Sequence, residues 1–413
     1  MKTRGIITVV AAVLAIGTTS HAATLEELQK QMDELNGKVR EIQTKNASEP
    51  VPVDVGYLKK LKKGTQFGGY GELDYTFLRE NGNGKGGNVF DPRRVVLYVS
   101  SELADWISFN TELEWEHGGS DGIDGGVSVE QAYLDFSFSP AFNVKAGVML
   151  NPMGAINQNH EPVNFYSTAR PALDTYLIPS TWQEMGIGIH GAINPKIDYQ
   201  LMAVTGLDGT GFSAEKGLRE GRQKFGQVNN RDVAVTGRLD VRPITNLSTA
   251  VSVYSGNSAP SGGPAAYTTI FAFDGKYRFS DFELSGEYVH VYQDKPGLLN
   301  PEIGRNMSGY WVEGAWHVMP RMLRQGKLAT ADAILFARYS ELNTQDGGAY
   351  DPSLTSSRFD RNYTTVGMSF MPVPSVAIKV DYQIYRDHRS STELPLKNDY
   401  ANDKLQLTLG FVF

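Results

Sequence analysis

Residues Trp106 to Glu116 read WISFNTELEWE, and their two parities are chemically unlike. Ile107, Phe109, Leu113 and Trp115 share one side of an extended chain; Ser108, Asn110, Glu112, Glu114 and Glu116 share the other. One face suits hydrocarbon, and the other carries too many charges for a half-buried sandwich strand. The stretch also has the roughly ten residues that a tilted strand needs to cross a bilayer. RDVAVTGRLDVR (Arg231 to Arg242) and SVAIKVDYQIYR (Ser375 to Arg386) repeat the pattern. So does LQLTLGFVF (Leu405 to Phe413), whose Leu405, Leu407, Leu409, Phe411 and Phe413 oppose Gln406, Thr408 and Gly410.

Punctuation between these segments alternates. Tight connections at Ala104-Asp105, Ser139 to Ala141, Asn194 to Lys196, Pro243 to Thr245, Phe279 to Asp281 and Pro372-Val373 trade places with long glycine-rich stretches. Strands are predicted near 65–79, 93–103, 106–116, 127–138, 142–150, 184–193, 197–205, 231–242, 246–255, 269–279, 282–293, 308–318, 329–340, 361–371, 375–386 and 402–413. Short turns on one rim and long loops on the other predict an all-β fold, a transmembrane antiparallel β-barrel of about sixteen strands. Closure pairs every backbone group without water and removes both sheet edges. A ring of that size is too wide for side chains to fill, so its charged inner face implies water. Tyr75, Phe77, Trp106, Trp115, Phe138, Tyr277, Phe279, Tyr292, Trp316, Phe370, Tyr385 and Phe413 fall near strand ends, where interfacial girdles belong.

The chain has 413 residues, 43 of them glycine, with 11% aromatic residues and no cysteine. Residues 1–22 have two positive charges, an apolar core from Ile6 to Ile16 and a small-residue end at Ala22, the layout of a cleavable secretory signal. Export without cysteine means stability without disulfides, and excludes cysteine catalysis, cysteine zinc sites and covalent haem attachment. In residues 24–45, Leu25, Leu28, Met32, Leu35, Val39 and Ile42 alternate steps of three and four, which predicts a short coiled-coil helix and an oligomer, taken as a homotrimer. Residues 46–60 read as a linker and 61–413 as the barrel. The formal charge is -7, two units lower once Lys2 and Arg4 leave with the signal, which disfavours nucleic acid. Seven scattered histidines, no HExxH and no nucleophile motif argue against an enzyme, and no cofactor is expected.

Selectivity should lie in the longest loop, Asn151 to Gln183, whose four prolines, two tyrosines and Trp182 suit a packed structure. Folded inward, it would offer His160, Glu161, Arg170 and Asp174 as the polar groups of a constriction. Inward parity on the strands holds basic Arg94, Lys145, Arg238, Arg278, Arg338 and Lys379. It also holds acids, among them Glu72, Asp74, Glu112, Glu114, Glu283, Glu287, Glu313 and Asp381, so the lumen is mixed in sign. In the fourth long loop Lys216, Arg219, Arg222 and Lys224 would sit at a pore mouth and steer anions inward.

GGYGELDYTF (Gly68 to Phe77), FDPRRVVLYVSSEL (Phe90 to Leu103), the loop from His160 to Gly191 and the terminal LTLGFVF together resemble the phosphate-selective porin O/P-like proteins of Gram-negative bacteria. The resemblance implies a homotrimeric sixteen-strand outer-membrane channel passing phosphate or polyphosphate along inward basic residues. Arg94 and Arg170 are the positions it carries over. The terminal Phe413 resembles the signal read by the barrel assembly machinery. The expected function is a porin for passive diffusion of small hydrophilic solutes, with anions such as phosphate as candidates. The alternative is a barrel sleeve or scaffold around a partner such as an electron-transfer cytochrome.

Overall fold

The computed structural model describes residues 64–78, 88–119, 125–223, 233–260, 262–388 and 403–413. The signal, the coiled-coil seam, the linker and Lys224 lie outside these described residues. Sixteen strands form one closed antiparallel barrel. In order they are β1 (Thr65–Leu78), β2 (Asn88–Ala104), β3 (Ile107–Glu116), β4 (Gly126–Ser139), β5 (Phe142–Leu150), β6 (Gln183–Asn194), β7 (Ile197–Thr205) and β8 (Val233–Val241). The second half comprises β9 (Leu247–Asn257), β10 (Tyr267–Phe279), β11 (Phe282–Gln293), β12 (Asn306–His317), β13 (Asp332–Asp346), β14 (Asp360–Val373), β15 (Val376–Asp387) and β16 (Lys404–Val412). Each strand pairs with its sequence neighbours, and β1 pairs with β16 from Tyr70↔Val412 to Leu78↔Lys404.

This seam positions the last described strand. Leu405, Leu407 and Leu409 face outward, and Gln406 and Thr408 are buried inside. Phe413 exchanges backbone hydrogen bonds with Gly69 at 2.9 and 3.0 Å. Its ring lies over Gly69, and the Phe411 ring lies over Gly71, so close that a Cβ at either glycine would collide with it. On the short-turn rim, outward aromatics form two groups, Trp106 with Phe136, Phe138 and Phe142, and Tyr277 with Phe279, Phe282 and Trp316, their successive rings 5.6–5.9 Å apart. Tyr385 is the exception to the predicted girdle. It is buried on the inner face, edge-on to Tyr363.

Two further differences from the sequence reading have physical causes. β2 begins at Asn88 because Asn88–Asp91 continues the ladder with β1 beyond a bulge. Pro92, which has no N–H to give, falls in that bulge. The connection between β12 and β13, on the short-turn rim, spans 318–331 and contains two 3-10 turns, Arg321–Leu323 and Gly326–Leu328.

The interior is not uniformly wet. Toward the long-loop rim, inward Met202, Val204, Ala234, Ile270, Val289 and Met307 are apolar and fully buried. They pack in one cluster with residues of the third and fourth long loops. A polar wall remains on β1–β4.

Candidate functional site

The third long loop, Asn151 to Trp182, lies inside the barrel. Asn157 joins its two ends: the amide donates to the carbonyls of Asn151 (2.8 Å) and Trp182 (3.0 Å), and its oxygen accepts from the Trp182 N–H (2.7 Å). From there the loop crosses to the far wall. Arg238 on β8 donates to the Gly154 carbonyl at 2.8 Å, and Tyr166 donates to Glu283 on β11 at 2.9 Å. On β15, Lys379 donates to the Ser167 carbonyl (2.9 Å) and Asp381 accepts from the Thr168 N–H (2.6 Å). Arg338 on β13 donates to Ser167 Oγ (2.7 Å) and to the Ala169 carbonyl (3.2 Å). At Gly410 a Cβ would stand 2.6 Å from Pro162, so the missing side chain lets the loop rest on β16.

Hydrophobic burial holds the other side. The single turn α1 (Leu173–Tyr176) sends Leu173 into the apolar cluster, with Leu177, Ile178 and Trp182 following. Trp182 packs on Tyr254, ring centroids 4.8 Å apart. Phe212, Ala214 and Leu218 of the fourth loop are buried in the same region, so this loop covers the third. The Leu218 N–H donates to the Tyr176 carbonyl at 2.8 Å. From the wall, Arg361 donates to the Glu215 carbonyl (2.9 Å) and its guanidinium lies 4.9 Å from the Tyr176 ring centroid.

The predicted site residues thus acquire different surroundings. His160 and Glu161 are buried against β1–β4, with Glu161 accepting from Tyr98 (3.3 Å) and Asn164 (2.7 Å). Asp174 is buried against Trp311, whose indole donates to it at 3.1 Å. Burial raises its pKa to about 7, although hydrogen bonds from Glu287 and Trp311 pull the other way. Arg170 is half-buried and donates to the His160 carbonyl at 3.2 Å.

Six wall cations were expected to line a pore, and all six sit on the inward parity. Their access to water differs. Lys379 is 1% exposed and Arg338 4%, because both are spent on fastening the loop. Arg94 bridges Glu72 (3.1 Å) and Glu114 (3.2 Å), and Arg238 bridges Asp240 (2.9 Å) and Asp274 (2.7 Å). Lys145 donates to Gln200 at 3.0 Å, while Arg278 is exposed near the short-turn rim. Of the fourth-loop cations, Lys216 pairs with Glu220 at 3.1 Å. Arg219 and Arg222 instead donate to the carbonyls of Ser180 and Thr181.

Among the described residues, Arg170, Arg219 and Arg222 form no ion pair. Burial and the proximity of Arg222, Arg170 and Arg94 lower the Arg219 pKa to about 9. Arg170 and Arg222 are also lowered, chiefly by burial. Glu72, Glu116 and Glu130 lie within electrostatic range of this group without forming an ion pair with it.

Parity missed two residues for one reason. The bulge in β2 aims Arg93 inward beside Arg94, where it pairs with Asp74. The bulge in β4 leaves Glu130 unpaired between Gln131, opposite Glu112, and Val129, opposite Leu113. Both Glu130 and Gln131 then face inward and are buried. The signal was present: apolar residues occupy Val127 and Val129 before the pair and Ala132, Leu134 and Phe136 after it.

The barrel-sleeve alternative finds no support, since the chain's own loops occupy the interior. In sequence the chain is 29% identical over 354 residues to an uncharacterised protein of Aquifex aeolicus, spanning 80% of this chain and 78% of that one. An anion-selective porin from Comamonas acidovorans superposes with a TM-score of 0.57 at 14% identity, over 85% of this chain and 100% of its own. The outer membrane channel DcaP of Acinetobacter baumannii gives 0.57 at 14% identity, over 87% and 100%. A family model described as phosphate-selective porin O and P matches residues 66–413, so the chain belongs to that family of outer-membrane channels.

Proposed function

We propose that the chain forms a water-filled channel in the outer membrane of a Gram-negative cell, where small hydrophilic solutes diffuse passively with a weak preference for anions, phosphate among them. The observation that carries this reading is the charge balance inside the barrel. Wall cations Arg94, Arg238 and Arg338 are ion-paired with carboxylates, whereas Arg170, Arg219 and Arg222 of the inner loops form no such pair among the described residues. A guanidinium without a carboxylate partner in a constricted, partly desolvated space attracts anions. The Comamonas acidovorans porin, similar in fold, is anion-selective, which agrees in sign.

Planar-bilayer recording of the purified protein tests the reading. Stepwise ion conductance is expected, with a reversal potential in a salt gradient displaced toward that of the anion. Arg170→Ala should move the reversal potential toward the cation side by more than Lys379→Ala does, because Lys379 is buried against the loop backbone. Absence of open channels would sink the proposal, and equal shifts would remove Arg170 from the path. We also assign trimer assembly to residues 24–45: their deletion should lower the trimer fraction in native electrophoresis while single barrels still conduct.

A further inference from the structure

Three buried polar atoms face one another without a hydrogen-bond partner: His160 Nε2, Glu112 Oε1 and Glu130 Oε2. Their residues are 2%, 1% and 1% exposed, and the three atoms lie within 4.8 Å of one another. The imidazole nitrogen is 3.5 Å from the Glu112 oxygen and 3.7 Å from the Glu130 oxygen. These separations exceed a normal N–H···O hydrogen bond, so a proton on Nε2 would satisfy neither carboxylate well. They are close to the edge, about 3.4 Å, of a tetrahedron whose centre is about 2.1 Å from each ligand.

The atoms behind these three are all engaged. His160 Nδ1 is 3.0 Å from the Asn157 carbonyl, an acceptor only, so Nδ1 carries a hydrogen, and loss of the proton from Nε2 on metal binding would leave a lone pair there. Gln131 donates to the other oxygen of Glu112 at 2.6 Å, and Thr181 donates to the other oxygen of Glu130. Such outer contacts orient ligands around a metal. Nearby cations are committed elsewhere: Arg94 to Glu72 and Glu114, Arg170 to the His160 carbonyl. The Tyr70 ring packs edge-on to the imidazole at 5.9 Å, and its buried hydroxyl is also without a partner.

We propose that Glu112, Glu130 and His160 bind a divalent cation of the Zn2+ class, which staples the third loop to the wall formed by β3 and β4. Two carboxylates balance its charge and the imidazole supplies the nitrogen ligand. A fourth position remains for water or the Tyr70 oxygen. The bulge at Glu130 is what makes the site: in a regular ladder only one of Glu130 and Gln131 would face inward. The inference stands apart from the channel reading, since a barrel that conducts nothing would still bind the cation.

The test uses the full chain, folded in detergent and stripped with chelator. Titration with ZnCl2 should show one equivalent bound per chain, and Glu130→Gln and His160→Gln should each weaken binding at least 100-fold. Hydrogen exchange of third-loop amides should slow on adding Zn2+. CoCl2 added to the unmutated protein should give visible bands of tetrahedral intensity, a readout that stands even where a variant fails to fold. The proposal is overturned if the unmutated protein binds no more metal than the Glu112→Gln/Glu130→Gln double variant. It is equally overturned if its histidine 15N shifts do not respond to Zn2+.

Discussion

Inward positions on β7 to β11 near the long loops include apolar Met202, Val204, Ala234, Ile270 and Val289, while those on β1 to β4 include Tyr70, Glu72, Arg94, Glu112 and Glu114. Both walls hold the same third loop, with a different balance of packing and polar contacts. The first buries Leu173, Leu177 and Trp182 by non-directional packing and adds polar anchors at Arg238, Glu283 and Arg338. The second meets the loop through Tyr98, Glu112 and Glu130, with Val163 packed on Tyr70, Val96 and Tyr98, and the Arg94 guanidinium behind them stays buried by pairing with Glu72 and Glu114. The lesson is that a pore-facing strand can serve as hydrophobic core on one side of a barrel and as an ion-pair scaffold on the other. The ion-pair scaffold should respond to loss of a single charge, and the packed cluster around Leu173 should not.

The strongest challenge to this contrast is Arg94→Leu. It leaves Glu72 and Glu114 buried without their cation, and a loss of about 3–5 kcal/mol is expected in the urea unfolding transition. Combining it with Glu72→Gln and Glu114→Gln should restore much of that loss. If the single change is harmless, the charged wall is not held by pairing. Leu173→Ala comes next, at about 2–5 kcal/mol, with a cavity where the loop meets β12 and β13. Its cost should be insensitive to salt; a strong salt dependence would undo the distinction between the walls.

A smaller effect should come from Asp174, a titratable group lodged in the apolar side. Its pKa rises from 3.8 to about 7 in the folded protein. The protonated form is thus the one the fold favours, and its contribution is complete below about pH 4 and lost as the pH climbs through about 7. Exchange rates of the amides of Leu173 to Ile178, corrected for intrinsic pH dependence, should therefore rise between about pH 5 and about pH 8. Asp174→Asn should flatten that rise. A variant with the same slope as the parent would place the titration elsewhere.

Much of the barrel was legible without coordinates. Period-two alternation in segments such as Trp106 to Glu116 counts the strands, because each residue in a membrane wall meets either hydrocarbon or the interior. The bulges were half legible. Arg93-Arg94 and Glu130-Gln131 each interrupt the alternation, yet parity alone assigns one member of each pair to the wrong face. The apolar inner wall was written as segments with both faces apolar, such as Leu201 to Val204 and Thr269 to Phe273. That pattern admits a buried strand without saying what buries it. The missing partner is the third loop, whose contacts on β8, β11, β13 and β15 join residues far apart in the chain.

What the sequence determined by itself is the barrel: its strand number, its lipid-facing parity and the closing strand from Lys404 to Val412. These follow from local alternation and from the need to pair every backbone group in an apolar medium. Only the tertiary structure decided which inward charges meet water. Lys379 and Arg338 face inward by parity and are buried by the loop they hold, while Arg170 remains half-buried without a carboxylate partner. Inward direction is a property of one strand; access to water depends on where a loop 32 residues long comes to rest.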